Sequence, residues 1–260
     1  MTPLPIGTSP IHLFDTPVHP LRMADVLALA DEAIVSRRRL MIAVVNAAKL
    51  VNMRGDALLR DSVHTSDVTL ADGMAVVWAS KLLGRALPDR VTGIDLMNEL
   101  LARADARGYR VFLLGATQEV LDEVCRHVAR EHPGAKIVGA HHGYFGPSDE
   151  AALADCIAAA KPDILFVAMS PPKKEIFLGT WGPRLSVPVC HGVGGAFDVV
   201  AGRVRRAPGW MQRWGLEWFY RVMQEPGRLW RRYLVTNSIF LWMVLREYLR
   251  PARNASRAKC

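Results

Sequence analysis

Short apolar runs alternate with longer amphipathic stretches along most of this chain, and no other feature constrains the fold as strongly. The runs are rich in Val, Ile, Leu and Phe, which is typical of short strands covered on both faces. Strand and helix alternating at this spacing predict βαβ units and a mostly parallel sheet. The predicted strands are Leu40–Val45, Val68–Ala71, Val111–Leu114, Lys136–Ala140, Ile164–Ala168 and Val187–Cys190, and the predicted helices are Met23–Arg37, Gly55–Ser62, Met74–Leu83, Gly93–Arg107, Gln118–Glu131 and Glu150–Ala160.

The charge of the chain is concentrated at its C-terminal end. Residues 203–260 hold 13 Lys and Arg against three acidic residues, and five of the seven tryptophans. That segment therefore carries +10, whereas residues 1–202 carry −2. The shift predicts an α/β body over residues 1–205, with a Rossmann-like, mostly parallel sheet and helices on both faces. A basic, aromatic-rich helical appendage is predicted over residues 206–260, and its expected partner is an anionic membrane or a nucleic acid.

Cysteine and histidine spacing argues against a disulfide scaffold or a metal site. Cys125, Cys156, Cys190 and Cys260 form no CxxC pair, and the eight histidines show no HxxxH or HExxH spacing. The longest apolar stretch, Leu234–Leu245, is interrupted by polar residues and is too short and polar to span a bilayer. The first residues lack the basic and apolar regions of a signal peptide, so we expect the protein to stay in the cytoplasm.

Polar and glycine residues follow the predicted strands at the points where those strands end. Ligands of open parallel sheets bind beyond the carboxyl ends of the strands, so these residues predict a binding site. They are Asn46, Asp72, Gly73, Gly115, Pro172, Lys173, Lys174, Glu175, Gly192, Gly194 and Asp198.

Asp72 is the leading candidate for chemistry among them. It follows the strand sequence VTLA and precedes a helical run, so it could be a helix N-cap, which Asp favours. It could equally be a general base whose pKa is raised by apolar surroundings. The residues alone leave both interpretations open.

Three cationic or glycine-rich segments suggest phosphate binding at the same edge. Arg90, which begins RVTGIDL, could hold a phosphate with two hydrogen bonds, although a lone loop Arg is usually a solvated charge. Lys173 and Lys174 follow a strand where the phosphates or sugar of a nucleotide would lie, although paired loop lysines are usually plain surface. The segment GVGG lets backbone N–H groups approach a ligand, but it matches neither GxGxxG nor GxxxxGK[ST].

Eight segments stand in order over roughly residues 40–245: VVNAAKLV, LADGMAVVWASKLLG, RVTGIDLM, RVFLLGA, VGAHHGYF, PDILFVAMSPPKKE, GVGGAFDVVAGRVRRAP and GLEWFYRVMQEPGRLWRRYL. In that order they closely resemble the WecG/TagA/CpsF family of bacterial glycosyltransferases, glycosyltransferase family 26. The resemblance implies an inverting, metal-independent enzyme without a cofactor. It would transfer a sugar from a UDP-sugar to an undecaprenyl-diphosphate-linked sugar in cell-surface polysaccharide or exopolysaccharide synthesis. The donor sugar is left open among N-acetylmannosamine, its uronate and glucose.

The resemblance also assigns roles by position. Asp72 resembles the base that deprotonates the acceptor hydroxyl, and Arg90 the phosphate-binding arginine. Asn46 and Asp198 match residues of the family's active-site segments, and Arg206 is expected to help Arg90 offset the charge of the diphosphate. The C-terminal segment resembles an appendage that docks on the membrane and supplies active-site arginines. The residues expected at the acceptor diphosphate or the membrane are Trp214, Trp218, Arg221, Arg228, Arg231 and Arg232.

Two positions depart from the family pattern and bear on the donor sugar. Val44 stands where the family often has Thr, and Lys174 stands where the usual PKQE has Gln. An amide that reads sugar hydroxyls and an ammonium that pairs with phosphate or carboxylate are not interchangeable, so we expect Lys174 to influence donor choice.

The expected partners are a UDP-sugar donor, a polyprenyl-diphosphate-linked sugar acceptor and an anionic membrane surface. The enzyme is predicted to lie at the cytoplasmic face of the plasma membrane as a peripheral protein; a homo-oligomer is left open. The alternative is a nucleic-acid-binding protein that uses the Arg- and Trp-rich end. The mixing of arginines with large apolar residues favours an interfacial helix over that alternative, so no nucleic acid is expected. A Rossmann-type oxidoreductase is disfavoured because the glycine fingerprint is missing.

Overall fold

The computed structural model describes residues 9–170 and 172–249. A six-stranded sheet forms its centre, and a short antiparallel hairpin precedes the sheet. The strands are β1 Ile11–Leu13, β2 Thr16–Val18, β3 Leu40–Val45, β4 Val68–Ala71, β5 Arg110–Gly115, β6 Lys136–His141, β7 Ile164–Ala168 and β8 Val189–Gly192.

Helices make the connections between the strands of the sheet and form the last part of the described chain, up to residue 249. The α-helices are α1 Met23–Ser36, α2 Ala47–Asn52, α3 Ala57–His64, α4 Met74–Leu82, α5 Gly93–Arg107, α6 Gln118–Glu131, α7 Glu150–Ala159, α8 Lys173–Leu185, α9 Ala196–Val200, α10 Gly209–Arg213, α11 Glu217–Gln224 and α12 Pro226–Tyr248.

All strand pairs of the central sheet are parallel, in the order β4-β3-β8-β7-β5-β6. Alternate side chains of each strand enter opposite cores, as the pleat requires. On one face, Ile42 and Val44 pack with helices α1, α5, α6 and α9. On the other face, Met41 and Val45 pack with α7 and α8 or with α2, α3, α4 and α12. The predicted α/β class, with helices on both faces of a parallel sheet, is confirmed.

The strand predictions hold closely, with one shift. Strands β3, β4 and β7 have the predicted bounds, whereas β8 begins at Val189 and was predicted from Val187. Pro188 has no N–H to donate to the ladder, and its carbonyl instead accepts from the backbone of Leu40. The predictions missed the hairpin of β1 and β2, whose three-residue strands are too short to show a period.

The segment PPKKE was wrongly read as a loop, because the first helical turn of α8 begins at Lys173. Gly179, Gly182 and Pro183 lie within that helix and hide its helical pattern, since Gly and Pro are the weakest helix formers. Lys173 and Lys174 therefore lie in the first turn of a helix that packs against the sheet, and their side chains need not face solvent.

The C-terminal helices divide between the core and the surface. Phe240, Met243 and Val244 of α12 are buried in the same cluster as the β1–β2 hairpin and α2. Phe240 meets Phe14 edge to face at 5.6 Å, and Glu247 accepts a hydrogen bond from Arg85 at 2.6 Å. A separate appendage over residues 206–260 stays a prediction, and residues 250–260 lie outside the described residues. Within the described ranges, no helix has the length and apolar character needed to cross a membrane.

Candidate active site

Asp72 stands directly after β4, at the carboxyl edge of the sheet. Its Oδ1 accepts a hydrogen bond of 2.9 Å from the backbone N–H of Gly93, the first residue of α5. Gly73, and not Asp72, is the N-cap residue of the following helix α4, so the N-cap interpretation of Asp72 for that helix is wrong. Burial raises the pKa of the Asp72 carboxyl above its ordinary value, as a general base requires.

Charged side chains from two helices, α2 and α11, act on this carboxyl group. Burial is the largest cause of its raised pKa; the charge of Lys49 lowers the pKa and that of Glu217 raises it. Arg221 also lowers it, so helix α11 of the C-terminal segment reaches the neighbourhood of Asp72. Sequence analysis named Arg221 but missed Lys49 and Glu217. Glu217 could have been noticed as one of only three acidic residues in residues 203–260.

Arg90 and Arg206 meet at the carboxylate of Glu217. Arg90 Nη1 donates to Glu217 Oε2 at 2.9 Å, and Arg206 Nε lies 3.7 Å from Glu217 Oε1. Arg206 also donates from both terminal nitrogens to the two carboxylate oxygens of Asp95, at 2.6 and 2.8 Å. These hydrogen bonds raise the pKa of Arg206. The two predicted phosphate-binding arginines are thus brought together, with Glu217 between them.

A second charged cluster lies beneath the end of β8. Glu175 Oε1 lies 2.9 Å from Lys49 Nζ and 3.5 Å from Lys174 Nζ, and the three side chains are at most 10% exposed. Burial, reinforced by the charge of Lys49, lowers the pKa of Lys174 to about 8. A Cβ atom at Gly192 would lie 3.3 Å from the stem of Lys174, so the glycine makes room for this lysine. Lys174 is therefore a buried side chain and not the loop cation that its sequence context suggested.

The remaining strand-end residues hold the edge together. Asn46 Oδ1 accepts from the backbone N–H of Lys49 and caps α2. Lys173 Nζ donates to the carbonyls of Gly143 and Phe145, both at 3.0 Å, so its side chain fastens the segment after β6. Gly115 must be glycine, because a Cβ atom there would lie 2.4 Å from the carbonyl oxygen of Ala168. Pro172 precedes α8, Gly194 follows β8 with a positive φ of 54°, and Asp198 lies in α9.

The predicted membrane residues lie on the surface of the C-terminal helices. Trp214 and Trp218 are exposed, and the ring of Trp218 contacts that of Tyr233, which joins α11 to α12. Arg221 of α11 is exposed, as are Arg231 and Arg232 of α12. The side chain of Arg228 lies outside the described part of the structure. Among the described residues, neither Arg231 nor Arg232 forms a hydrogen bond or ion pair with Asp72 or Glu217. Their role at the acceptor diphosphate stays a prediction.

The arrangement is suited to group transfer to or from an anionic substrate. The charge of Arg221 acts on a strand-end carboxyl group with a raised pKa, and Glu217, which also acts on it, is paired with Arg90 of the body. Within the described residues, no group of three or more His, Cys, Asp or Glu could hold a metal ion. A carboxyl group with a raised pKa at the strand-end edge of a parallel sheet, with arginines nearby, is the kind of arrangement found in enzymes that bind phosphate-containing substrates.

The family model described as "Glycosyl transferase WecG/TagA/CpsF family" matches residues 11–254, so the chain belongs to this glycosyltransferase family. A similar protein from Bacillus spizizenii is 42% identical over 183 residues, 70% of this chain and 68% of the relative. A second, from Bacillus subtilis, is 40% identical over 174 residues, 67% of each chain. Both are named N-acetylglucosaminyldiphosphoundecaprenol N-acetyl-beta-D-mannosaminyltransferase. The resemblance drawn from the sequence motifs is confirmed.

Proposed function

We propose that this glycosyltransferase moves N-acetylmannosamine from a UDP-sugar to an N-acetylglucosamine linked through a diphosphate to undecaprenol. The names of the two Bacillus relatives support both the donor sugar and the acceptor. The observation that carries the proposal is the position of Asp72, a strand-end carboxyl group with a raised pKa beside cations that could hold a diphosphate. The uronate of N-acetylmannosamine and glucose remain the other donors to test.

The reaction we propose is a single displacement at the anomeric carbon. Asp72 takes the proton of the acceptor hydroxyl group. The oxygen of that hydroxyl group bonds to the anomeric carbon of the donor sugar, and the bond from that carbon to UDP breaks. One displacement inverts the configuration. The carboxylates of Asp95, Glu175 and Glu217 each form an ion pair with an Arg or Lys, whereas Asp72 accepts a hydrogen bond from the backbone N–H of Gly93. Asp72 is therefore the carboxylate best placed to act as base.

The charge that develops on the departing UDP needs compensation. Arg90 and Arg206 carry guanidinium groups at this edge, and we propose that they contact the diphosphate, with Arg221 approaching from α11. Guanidinium groups bind phosphate oxygens through paired hydrogen bonds and hold their charge at every physiological pH. Pre-arranged cations of this kind can stabilise a leaving diphosphate, so we propose that the enzyme needs no divalent metal.

The acceptor we propose is anchored in a bilayer, so the enzyme must reach the membrane surface. Helices α10 to α12 expose a set of large apolar side chains among arginines, and exposed apolar surface on this scale marks an interaction site. Aromatic and leucine side chains can enter the lipid interface, and each nearby Arg adds about 1 kcal/mol of attraction to anionic lipid. We propose peripheral docking on the cytoplasmic face. The exposed apolar residues include Trp210, Trp214, Trp218, Phe219, Met223, Trp230, Leu234, Val235, Leu241, Trp242 and Leu245.

Nucleic-acid binding is the competing function for the same helices. The exposed leucines and valine favour lipid over nucleic acid, because an apolar surface mixed with basic and aromatic side chains is typical of interfacial helices, whereas single-strand sites rely on basic grooves and stacking aromatics. The affinity of the protein for anionic vesicles, measured by co-sedimentation, is compared with its affinity for duplex DNA at the same salt concentration. Tighter binding to the vesicles supports docking. The reverse preference would support the nucleic-acid function.

One assay tests the chemistry directly. The protein is mixed with a short-chain lipid diphosphate that carries N-acetylglucosamine and with UDP-N-acetylmannosamine, its uronate or UDP-glucose, and UDP release is measured. We expect release with the first donor, dependent on the acceptor, and an anomeric configuration in the product opposite to that in the donor. Release that does not depend on the acceptor would indicate hydrolysis, and retained configuration would overturn the single displacement.

A further inference from the structure

Glu217 places a carboxylate of the C-terminal helices between two arginines of the body. It is the first residue of α11, and its oxygens lie 2.9 Å from Arg90 Nη1 and 3.7 Å from Arg206 Nε. Arg90 comes from the connection between α4 and α5, and Arg206 from the connection between α9 and α10. The side chain of Glu217 is 28% exposed, so a carboxylate at the rim of the site joins groups from three segments.

The two arginines differ in how they are neutralised. Arg206 is paired through both terminal nitrogens with Asp95, which is itself bonded to Thr92 at the start of α5. Glu217 is the one carboxylate that forms an ion pair with Arg90 among the described residues. The Nε atom of Arg206 is buried and has no hydrogen-bond partner among the described residues. A phosphate that uses these donor groups must therefore replace Glu217, and not Asp95.

The helix that carries Glu217 has no buried residue along its length. Its contacts to the rest of the chain include the ion pairs of Glu217 and the packing of Trp218 on Tyr233 of α12. Little apolar area would be uncovered if the first turn of α11 shifted, so the cost of withdrawing Glu217 is small, and Arg221, one turn further along, can stay at the site. Trp218 and Phe219, the two residues after Glu217, are exposed and lie on the surface proposed to meet lipid.

We propose that Glu217 competes with the substrate diphosphate for Arg90 and Arg206, and that lipid contact at α11 relieves the competition. The proposal rests on the proposed function, which assigns the two arginines to the diphosphate. Carboxylate and phosphate oxygens accept from the same kind of guanidinium donor, so while Glu217 holds Arg90 Nη1 and lies against Arg206 Nε, a phosphate has no access to those two nitrogens. If membrane contact withdraws Glu217, UDP must bind more tightly on the membrane, and UDP must in turn strengthen membrane binding by the same factor.

The test measures the affinity for UDP by calorimetry, with and without vesicles that contain anionic lipid. We expect Glu217→Gln to bind UDP about 3- to 10-fold more tightly than the unchanged protein without vesicles, since a partly exposed ion pair of roughly 1 kcal/mol no longer opposes binding. Vesicles should tighten UDP binding by the unchanged protein and have a smaller effect on the variant. The matched control is Glu247→Gln, which removes another pair between the C-terminal helices and the body, at Arg85, and should leave UDP affinity unchanged.

Arg90→Ala separates this proposal from the proposed function. It should weaken UDP binding, and adding Glu217→Gln to it should give little further change, because the arginine under competition is gone. Weaker or unchanged binding in Glu217→Gln, with Arg90→Ala still weakened, overturns the competition and leaves the role of Arg90 intact. Unchanged binding in Arg90→Ala overturns the assignment of Arg90 to the diphosphate. If Glu217→Gln fails to fold, Glu217→Asp, whose shorter side chain loses reach to Arg90, should tighten UDP binding in the same direction.

Discussion

The edge of the sheet and the C-terminal helices contribute charged residues to one site in opposite ways. At the edge, Asp72, Lys174 and Glu175 are held by buried or backbone contacts, and burial raises the pKa of Asp72 and lowers the pKa of Lys174. On the helices, Arg221, Trp214 and Trp218 are exposed, and α11 buries none of its residues. Rigid, desolvated groups suit chemistry, whereas exposed groups on a lightly held helix suit reversible contact with a surface.

We propose that this contrast separates the chemical step, at the edge of the sheet, from docking on the membrane, on the helices. Changes at the edge should alter turnover on every acceptor, whether soluble or embedded in a bilayer. Changes on the exposed faces of the helices should alter turnover only where a bilayer is present. Each of the following predictions tests one side of that division.

The largest effect should follow from Asp72→Asn. We expect a loss of about 100- to 10,000-fold in kcat, because the general base is removed, on both soluble and vesicle-bound acceptors. The Asn oxygen can still accept from Gly93 N–H, so thermal unfolding and UDP binding should change little. Turnover within a few-fold of the unchanged enzyme would show that Asp72 only supports the start of α5.

The pH dependence of turnover should report the same residue. Asp72 acts in its deprotonated form, and burial raises its pKa, so activity should fall as the pH drops through a value above that of an ordinary Asp. The acid limb of kcat against pH measures this. A limb that stays at the ordinary Asp value would contradict the raised pKa, and the residual activity of Asp72→Asn should lack the limb.

On the helices, replacing Trp214, Leu234 and Leu241 with Ser should lower turnover on vesicle-bound acceptor by tenfold or more, in line with about 1.5–3 kcal/mol for each large apolar side chain that enters lipid. Turnover on a soluble short-chain acceptor should stay within about twofold. Leu58→Ser is the matched control, since Leu58 is 64% exposed on α3. Equal losses on both acceptors would place these side chains in the fold or the site.

Removal of the whole segment after residue 205 is a harsher form of that experiment. The two-part division predicts a folded body that no longer pellets with anionic vesicles. The truncation also removes Phe240, Met243 and Val244 from a core shared with the hairpin. Unfolding of the shortened chain would therefore show that α12 belongs to the body, while the surface substitutions would still report on docking.

A smaller effect, of a few-fold, is expected for Lys174→Gln. The change removes a buried cation next to Glu175 and Lys49, and it should alter the ranking of the three UDP-sugars. Relative kcat/KM values over the donor panel measure this, with Lys81→Gln on the exposed face of α4 as the control. A uniform reduction for every donor would make Lys174 a general phosphate contact.

The smallest effect should come from chelation. With arginines proposed to offset the diphosphate charge, EDTA should leave turnover within about twofold of the untreated enzyme. Loss of activity that magnesium or manganese restores would contradict the metal-independent reaction.

The sequence predicted the parts of the site that follow strands and missed the contacts that cross the chain. Asp72 was found because a buried four-residue strand precedes it, and parallel sheets bind ligands at that edge. The pairing of Arg90 with Glu217 joins residues 127 positions apart, and no local period indicates it. The sequence analysis considered only the net charge of residues 203–260, so it overlooked Glu217, the acidic residue of that segment that pairs with Arg90. The burial of Lys174 depends on the packing of α8 against Gly192, which only the folded chain reveals.

Helix α12 is continuous over 23 residues, which is about 34 Å at the rise of an α-helix. One side of its C-terminal half is buried in the core. The exposed side chains on its other side consequently cannot turn independently of the sheet. If that exposed side docks on lipid as we propose, the helix sets the height and tilt of Asp72 above the bilayer. Inserting a single residue near its middle would rotate the two halves by about 100° and aim the site away from its acceptor.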